Sequence, residues 1–515
     1  MDLARAVGEA LARLSAQPGV REVEVFAAFN RSLLTRLNYT SHIPCNGVEE
    51  PKSTEMSGLG VHAVFDGPDG TPRVGFGSEP SDLTPDGALQ ALGKARQAAV
   101  YDPEFRSLPR PGPAPRTLVH YHDPQLMEIT DPALVAAGWT VIGGGLRSFM
   151  ASSRLADLAA GEAELKRLGL ILGGDVTILQ TRIAIASTAM PEPQADDSAF
   201  ISASITAMVE ARDAKGSGWS VGTRLEHFTD EAGSEAAVNA VAAIDGARVP
   251  TGDYTVIFGP QPVADLCNNL VIPSCQAGAF YASSTPFLGR LDRLVAAPAL
   301  SIYDHGAMPG LAGSRGITCE GLPTGRTDLI RDGRLVGLLS HWYDTQRLLH
   351  DPRAREKLGV DPAAAAAALA PRNGFRYDGG GRSFEATPGT SASNVMIEGS
   401  DPVSLDALIA RVRDGLYVGR IWYTYPINGL RAGDFTCTVV GDSFIIRDGR
   451  IAEPLLANTI RINDNVTRLL GAIVGTTRDA RATMVWGADE VVHAPSIAVT
   501  GVHADAIAGF AEGVD

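Results

Sequence analysis

Apolar residues in the opening stretch, MDLARAVGEALARLSA, fall at Leu3, Val7, Leu11 and Leu14. Intervals of four, four and three place them on one helical face, so the spacing predicts an amphipathic first helix of a folded domain. The period then shortens to two in VREVEVFAAF (20–29), and GVHAVFDG (60–67) is a second β-rich run that ends in a turn. TPDGALQALGKARQAAV (84–100) opens with a capping Thr and a Pro before an amphipathic pattern, which predicts another helix. Residues 131–146 read as a short helix followed by a strand, WTVIGGGL, and SSRLADLAAGEAELKRLG (152–169) as helical. DVTILQTRIAIASTAM (175–190) and AFISASITAMVEARD (199–213) alternate in part, as antiparallel strands with one wet face do.

After a helical EAGSEAAVNAVAAIDGA (231–247), the strand-like GDYTVIFGP (252–260) opens a second region of short strands and glycine turns. Asp332-Gly333 in LIRDGRL and Asp448-Gly449 in FIIRDGRI each predict a tight hairpin. Their shared IRDGR is either ordinary hairpin chemistry or the trace of a duplicated half. Residues 102–117, rich in Pro and Arg, read as a loop or lid linker. The Ala-rich 361–370 reads as a short helix, and the Gly-, Ser- and Pro-rich 371–394 as a mobile loop. The expected fold class is α+β: an N-terminal α/β layered domain (1–250) followed by a β-rich C-terminal domain with antiparallel sheets (251–515).

Charge narrows the function classes. With 44 Lys plus Arg against 59 Asp plus Glu, the formal charge is −15, and no basic run offers the phosphate-neutralising surface of a nucleic-acid binder. Five dispersed cysteines without a CxxC pair point to reduced thiols, and an acidic start lacks the basic region of a secretory signal. No window of 18 residues is apolar without a charge, so no membrane span is expected and the expected location is the cytoplasm. The skew toward Ala and Arg points to a GC-rich bacterial source.

Familiar catalytic patterns are absent: there is no HExxH, no GxSxG and no GxxxxGK[ST], and the GGG at 143–145 lacks dinucleotide-binding spacing. His120 and His122, two apart, would share one side of a strand, but no third ligand is evident. Cys319 has Glu320 beside it, which raises a thiol pKa instead of activating it. Asp304 and His305 are adjacent, and on a strand they point to opposite faces. GSGW (216–219) and TYP (424–426) place aromatic groups in Gly- or Pro-bearing turns, where they line a cleft or simply pack.

The second half resembles a known family as a whole. YTVIFGP (254–260), GAFYASSTPFLGRLDRLVAAPALSIYDHGAMPG (278–310) and SRGITCEGLPTGRTDLIRDGRLVGLLS (314–340) are similar to the TldD/PmbA family, once called modulators of DNA gyrase. The order is the family's: a GP-ending strand, an FLGRL-like helix, a D-x-G-x-x-P-G turn and an E-G-x-P-T hairpin. SASNVMIEG (391–399) and GDFTCTVVGDSFIIRDGRIAEPLLANTI (433–460) extend the resemblance over most of residues 250–510.

The resemblance implies two kinds of chain: TldD-like zinc peptidases with HExxxH after the GP-ending strand and a Cys in a VCG, and TldE (PmbA)-like partners without that metal set. Here the first ligand position is held by Asn268, the base by Asn269 and the last helix ligand by Pro273, and Val485-Trp486-Gly487 stand in the place of VCG. An amide binds Zn²⁺ weakly, Pro and indole supply no ligand atom, and Asn269 takes no proton from water. The expectation is therefore a non-catalytic TldE-like chain with no cofactor, paired with a TldD-like zinc peptidase chain around a chamber for unfolded peptides. Glu320, Thr324 and Arg326 in the EGLPTGR segment are its candidate substrate or partner contacts. Two alternatives stand beside it: a self-dimer acting as a peptide-binding or scaffold protein, and a metallopeptidase with a rewired site that draws on Cys267 and Cys275.

Overall fold

The computed structural model describes residues 2–37, 47–48, 51–68, 70–112, 118–378 and 381–507. Cys45 and the end of the Pro-rich segment, 113–117, lie outside the described residues. Helix α1 (Leu3–Ser15) is capped by the Asp2 side chain, which accepts from the Arg5 amide, and buries Leu3, Val7 and Leu14 as its period requires. Strands β1 (Val20–Leu37), β2 (Lys52–Asp66), β3 (Pro72–Pro80), β4 (Leu170–Ser187), β5 (Gln194–Val209) and β6 (Ala214–Gly222) form an antiparallel sheet in the order β3-β2-β1-β4-β5-β6. Helix α2 (Pro85–Gln97) begins at Thr84, whose hydroxyl accepts from the Gly87 amide.

The side-chain period of two gives this sheet two distinct faces. Odd-numbered residues of β1, Val23, Val25 and Ala27, pack under α1 and α2; Leu33 and Leu37 pack under the helices of the other half, α3 (Asp131–Met150) and α4 (Glu231–Ala242). Even-numbered Phe26 and Ala28 face the C-terminal half, where they meet Ile317, Cys319, Phe375 and Phe384.

Helix α3 overturns the strand expected at WTVIGGGL. A β-carbon on Gly145 would lie 2.5 Å from Leu172, and one on Gly233 of α4 2.0 Å from the Val141 carbonyl, so the glycines serve a close approach of two helices and a sheet. By length and composition α3 is apolar enough to cross a membrane, and here it lies across the sheet against α4. The helical stretch after it breaks at Ala159–Gly161 into Ser153–Leu158 and Glu162–Arg167.

The second sheet, thirteen strands among the described residues, comprises β7 (Gly252–Phe258), β8 (Leu300–His305), β9 (Arg326–Arg331), β10 (Arg334–Leu335), β11 (Asn394–Gly399), β12 (Gly415–Val418), β13 (Arg420–Pro426), β14 (Asp434–Gly441), β15 (Phe444–Arg447), β16 (Arg450–Pro454), β17 (Ile460–Asn465), β18 (Ile473–Thr483) and β19 (Val491–Ala506). Its path is β10-β9-β8-β11-β19-β7-β12-β15-β16, with β13, β14, β17 and β18 branching through β19; all pairs are antiparallel except β11–β19 and β7–β12. The hairpins at Asp332-Gly333 (φ 48° and 75°) and Asp448-Gly449 (φ 50° and 74°) have the two positive φ values that tight hairpin turns require. GSGW lies inside β6 and TYP inside β13, so the turns expected there are strands, and FLGRL (287–291) forms turns instead of a helix.

The described part of the segment 371–394, residues 371–378 and 381–394, is not the loose loop expected from its composition. It is a strap wedged between the sheets, because its few large side chains find partners there. Arg376, the largest fully buried side chain, pairs with Glu24 of β1 at 2.6 Å, donates to the Ala386 carbonyl at 2.7 Å and lies 4.4 Å from the Phe26 ring centroid. Asn30 exchanges two 2.9 Å hydrogen bonds with the backbone of Arg382. Phe384 fits where β2 carries glycine: a β-carbon on Gly58 would lie 2.5 Å from its ring. A second seam joins β6 to the large sheet. Asp442, pushed up to about 6 by burial, accepts from the Ser217 amide at 3.2 Å, and Arg481 pairs with Glu235 while lying 3.9 Å from the Trp219 ring centroid.

Removing one member of a buried ion pair leaves an uncompensated charge, at a cost of about 3–5 kcal/mol. Arg376→Met is expected to lower the urea midpoint by a corresponding amount, and adding Glu24→Gln is expected to recover much of the loss. Equal midpoints for wild type and Arg376→Met contradict this role of the pair.

Candidate functional site

Strand β7 ends at Phe258, Gly259 caps the next element, and Pro260 starts helix α5 (Pro260–Leu266) with the fixed φ of a first-turn proline. The helix then widens into a π turn over Cys267–Val271 before a short α-turn at Ile272–Ser274. π turns within helices recur at functional positions, and their i→i+5 hydrogen bonding brings residues five apart, such as 268 and 273, into one row. Asn268, Asn269 and Pro273 are half-buried, while Cys267, Leu270, Val271, Ile272 and Ser274 point into the core.

The side chains of this turn serve the turn itself. Asn269 donates to the Asp265 carbonyl at 2.9 Å and to the Asp265 carboxylate at 3.2 Å. Burial pushes Asp265 up to about 6, against the pull of neighbouring donors and of Arg420. Pro273 lacks an N–H, so it leaves a preceding carbonyl without its helical donor. Gln261 of α5 accepts from the Ile421 amide at 2.9 Å, which ties β13 alongside the helix, and Trp422 of β13 faces Trp486 with ring centroids 6.2 Å apart. Trp486 itself is 84% exposed. Its loop is held by the strap, through Arg382 to Asp489 and Tyr377 to the Gly487 carbonyl at 2.9 Å.

The zinc that the resemblance implies for TldD-like chains does not fit these residues. Asn269 already spends its amide on Asp265, and Pro273 and Trp486 bring no donor atom. Cys267 and Cys275 are buried in the core, and burial pushes the Cys275 thiol up to about 12 and that of Cys267 well above its ordinary range, so neither readily forms the thiolate that binds a metal. Among the described residues, no three of His, Cys, Asp and Glu cluster where a metal could be held.

The other candidate residues fall in different surroundings. Glu320 is buried and accepts twice from the Trp342 amide, at 3.1 and 3.0 Å; burial pushes it up to about 7 against the pull of His341. The Thr324 hydroxyl donates to the Arg315 carbonyl at 2.6 Å. Arg326 keeps its side chain 48% exposed, pairs with Asp328 at 2.8 Å and lies 3.6 Å from the Tyr303 ring centroid. Glu320 and Arg326 thus have separate partners, the first amide of the helix Trp342–Leu349 and an aspartate. His120 and His122 do not sit on a strand: residues 118–123 are irregular, His120 has φ 53°, and Tyr121 between them donates to Asp196 at 2.9 Å. Asp304 is buried and accepts from the Ser393 amide at 2.7 Å, while His305 accepts from the Ala307 amide. Burial raises the Cys319 thiol.

Residues 251–505 match the family described as PmbA/TldA metallopeptidase C-terminal domain. A Synechocystis sp. protein named Metalloprotease slr0863 is 28% identical over 253 residues, which take in 48% of this chain and 48% of that relative. Three solved structures share the fold over nearly the whole chain. TldE from Thermococcus kodakarensis has a TM-score of 0.74 at 16% identity, covering 98% of this chain and 99% of its own. Proteins described as modulators of DNA gyrase from Bacteroides thetaiotaomicron and Thermotoga maritima have TM-scores of 0.71 and 0.72 at 17% identity, covering 98% and 97% of this chain and 98% and 99% of theirs. Fold and sequence together define a metallopeptidase-related α+β protein. By its C-terminal half the chain belongs to the PmbA/TldD family.

Asn269→Glu would set a second carboxylate against Asp265. The variant is expected to lower the thermal midpoint at pH 8 and to lower it less at pH 5, where Asp265, with its pKa near 6, takes up a proton and the repulsion fades. A midpoint unchanged at pH 8 contradicts this reading of the turn.

Proposed function

We propose that this chain is a TldE/PmbA-like subunit without catalytic metal, which pairs with a zinc-bearing TldD-like peptidase and contributes part of the wall of a chamber for unfolded or precursor peptides. One observation carries the reading: in the π turn after the GP-ending strand, amide, amide and proline occupy the positions where the resemblance places a zinc peptidase's ligand, base and ligand. The fold is maintained and the donors are gone, as expected when the chemistry is supplied by another chain.

A non-hydrolytic wall needs surfaces for extended peptides and for its partner, and it needs no ionisable catalyst. The edge of β6 is blocked in part, since Asp442 occupies the Ser217 amide and Asn239 its carbonyl, so a peptide strand cannot extend along that edge past Ser217. Of the three candidate contacts, Arg326 alone retains an exposed charged group for a partner or peptide carboxylate; Glu320 is engaged with the Trp342 amide and Thr324 with the Arg315 carbonyl. A cytoplasmic setting suits the four described cysteines, all of them free thiols.

A tagged full-length chain recovered from its native cell and analysed by mass spectrometry is expected to bring down one chain carrying HExxxH in equimolar amount. Recovery of the chain alone, as a self-dimer, contradicts the reading and favours a stand-alone binding protein.

A further inference from the structure

A cavity of about 300 Å³ lies between β5–β6 of the first sheet and β13 with the 483–488 loop of the second. Arg420 is the only charged side chain in its lining, in a chain whose formal charge is −15. It is half-buried and forms no ion pair with any described residue; the buried carboxylates of Asp265 and Asp442 feel its charge from beyond contact distance. Of the other polar groups of the lining, the hydroxyls of its serines and Thr483 can donate or accept, and two nitrogen-bearing side chains are informative. The indole N–H of Trp219 is buried without an acceptor, and the amide of Gln261 is engaged with the backbone of Ile421. A guanidinium and an indole N–H, both donors, are thus left without an anion. Trp422 and the exposed Trp486 stand at the rim with apolar faces available.

We propose that this cavity captures the carboxylate of a peptide, with Arg420 as its counter-ion and the Trp422–Trp486 pair covering the adjoining side chain. A guanidinium presents two parallel donors to a carboxylate, and partial burial strengthens that pairing relative to water. The volume is at the lower end of ligand pockets, enough for a terminal residue and too small for a folded partner. The proposal rests on the peptide-handling reading above for the identity of the ligand, but not for its charge. The carboxylate is either a chain terminus or an acidic side chain, and the two are separable.

Fluorescence titration of the full-length chain tests the inference with three tetrapeptides: Ala-Ala-Ala-Phe as the free acid, the same peptide as its C-terminal amide, and Ala-Ala-Glu-Phe amide. The free acid is expected to bind saturably and to weaken about tenfold or more with Arg420→Gln, with partial rescue by Arg420→Lys. Trp486→Ala, at an exposed position that leaves folding intact, is expected to weaken it several-fold. Binding by the glutamate amide but not the plain amide assigns the site to side-chain carboxylates; binding by the free acid alone assigns it to termini. Equal binding of all three, binding unaffected by Arg420→Gln in a protein with wild-type circular dichroism, or no saturable binding overturns the proposal. Capture of an HExxxH chain together with any of these results leaves the subunit reading standing and removes only the anion site. Arg420-dependent binding without a captured partner does the reverse.

Discussion

The Glu24–Arg376 pair is the constraint through which the two sheets are fixed. Neither charge is exposed, so the strap that carries Arg376 cannot leave β1 without stranding a carboxylate in the core. The consequences run outward along the strap. Arg382, six residues on, is held by Asn30 on one side and reaches Asp489 on the other, and Tyr377 holds the Gly487 carbonyl. The loop bearing Trp486 is therefore positioned from β1, through a segment whose composition alone suggests a flexible loop. The cavity around Arg420 inherits its shape from the same chain of contacts.

Around the π turn, the substitutions make chemical sense as a set. An asparagine at 269 satisfies Asp265, where a glutamate would repel it. Cysteines that flank the turn are sunk in the core, where the thiol form is favoured. At the positions that the resemblance assigns to the metal set, Asn269 is engaged with Asp265, Pro273 and Trp486 bring no donor atom, and Asn268 offers only an amide, a weak zinc ligand. The backbone of the turn is set by β7, by Pro260 and by Gln261 gripping β13, none of which takes part in metal chemistry.

Much of the fold was legible in the sequence wherever local chemistry and tertiary burial agree. The helix periodicity at Leu3–Leu14, the Thr84-Pro85 cap and the two Asp-Gly hairpins all sit where the pattern puts them, since turn and cap geometry is encoded in a few adjacent residues. WTVIGGGL misled because its β-branched residues and glycines are there for close helix packing, a requirement set by α4 and Leu172, far away in the chain. The strap misled for a related reason: Phe375, Phe384, Arg376 and Arg382 outweigh its Gly and Ser content once β1 supplies Glu24 and Asn30. The positions that the resemblance assigns to the metal can be named from sequence because the motif is local. Trp219 is raised as a cleft-lining aromatic by GSGW, but Arg420 is not, since the cavity they share is assembled from both sheets and no spacing along the chain announces it.

The most direct test of the account is the zinc content, by mass spectrometry of the metal, of this full-length chain purified alone, incubated with zinc and desalted. The account expects far less than one equivalent per chain. One equivalent retained through desalting would contradict it and return the catalytic chemistry to this chain.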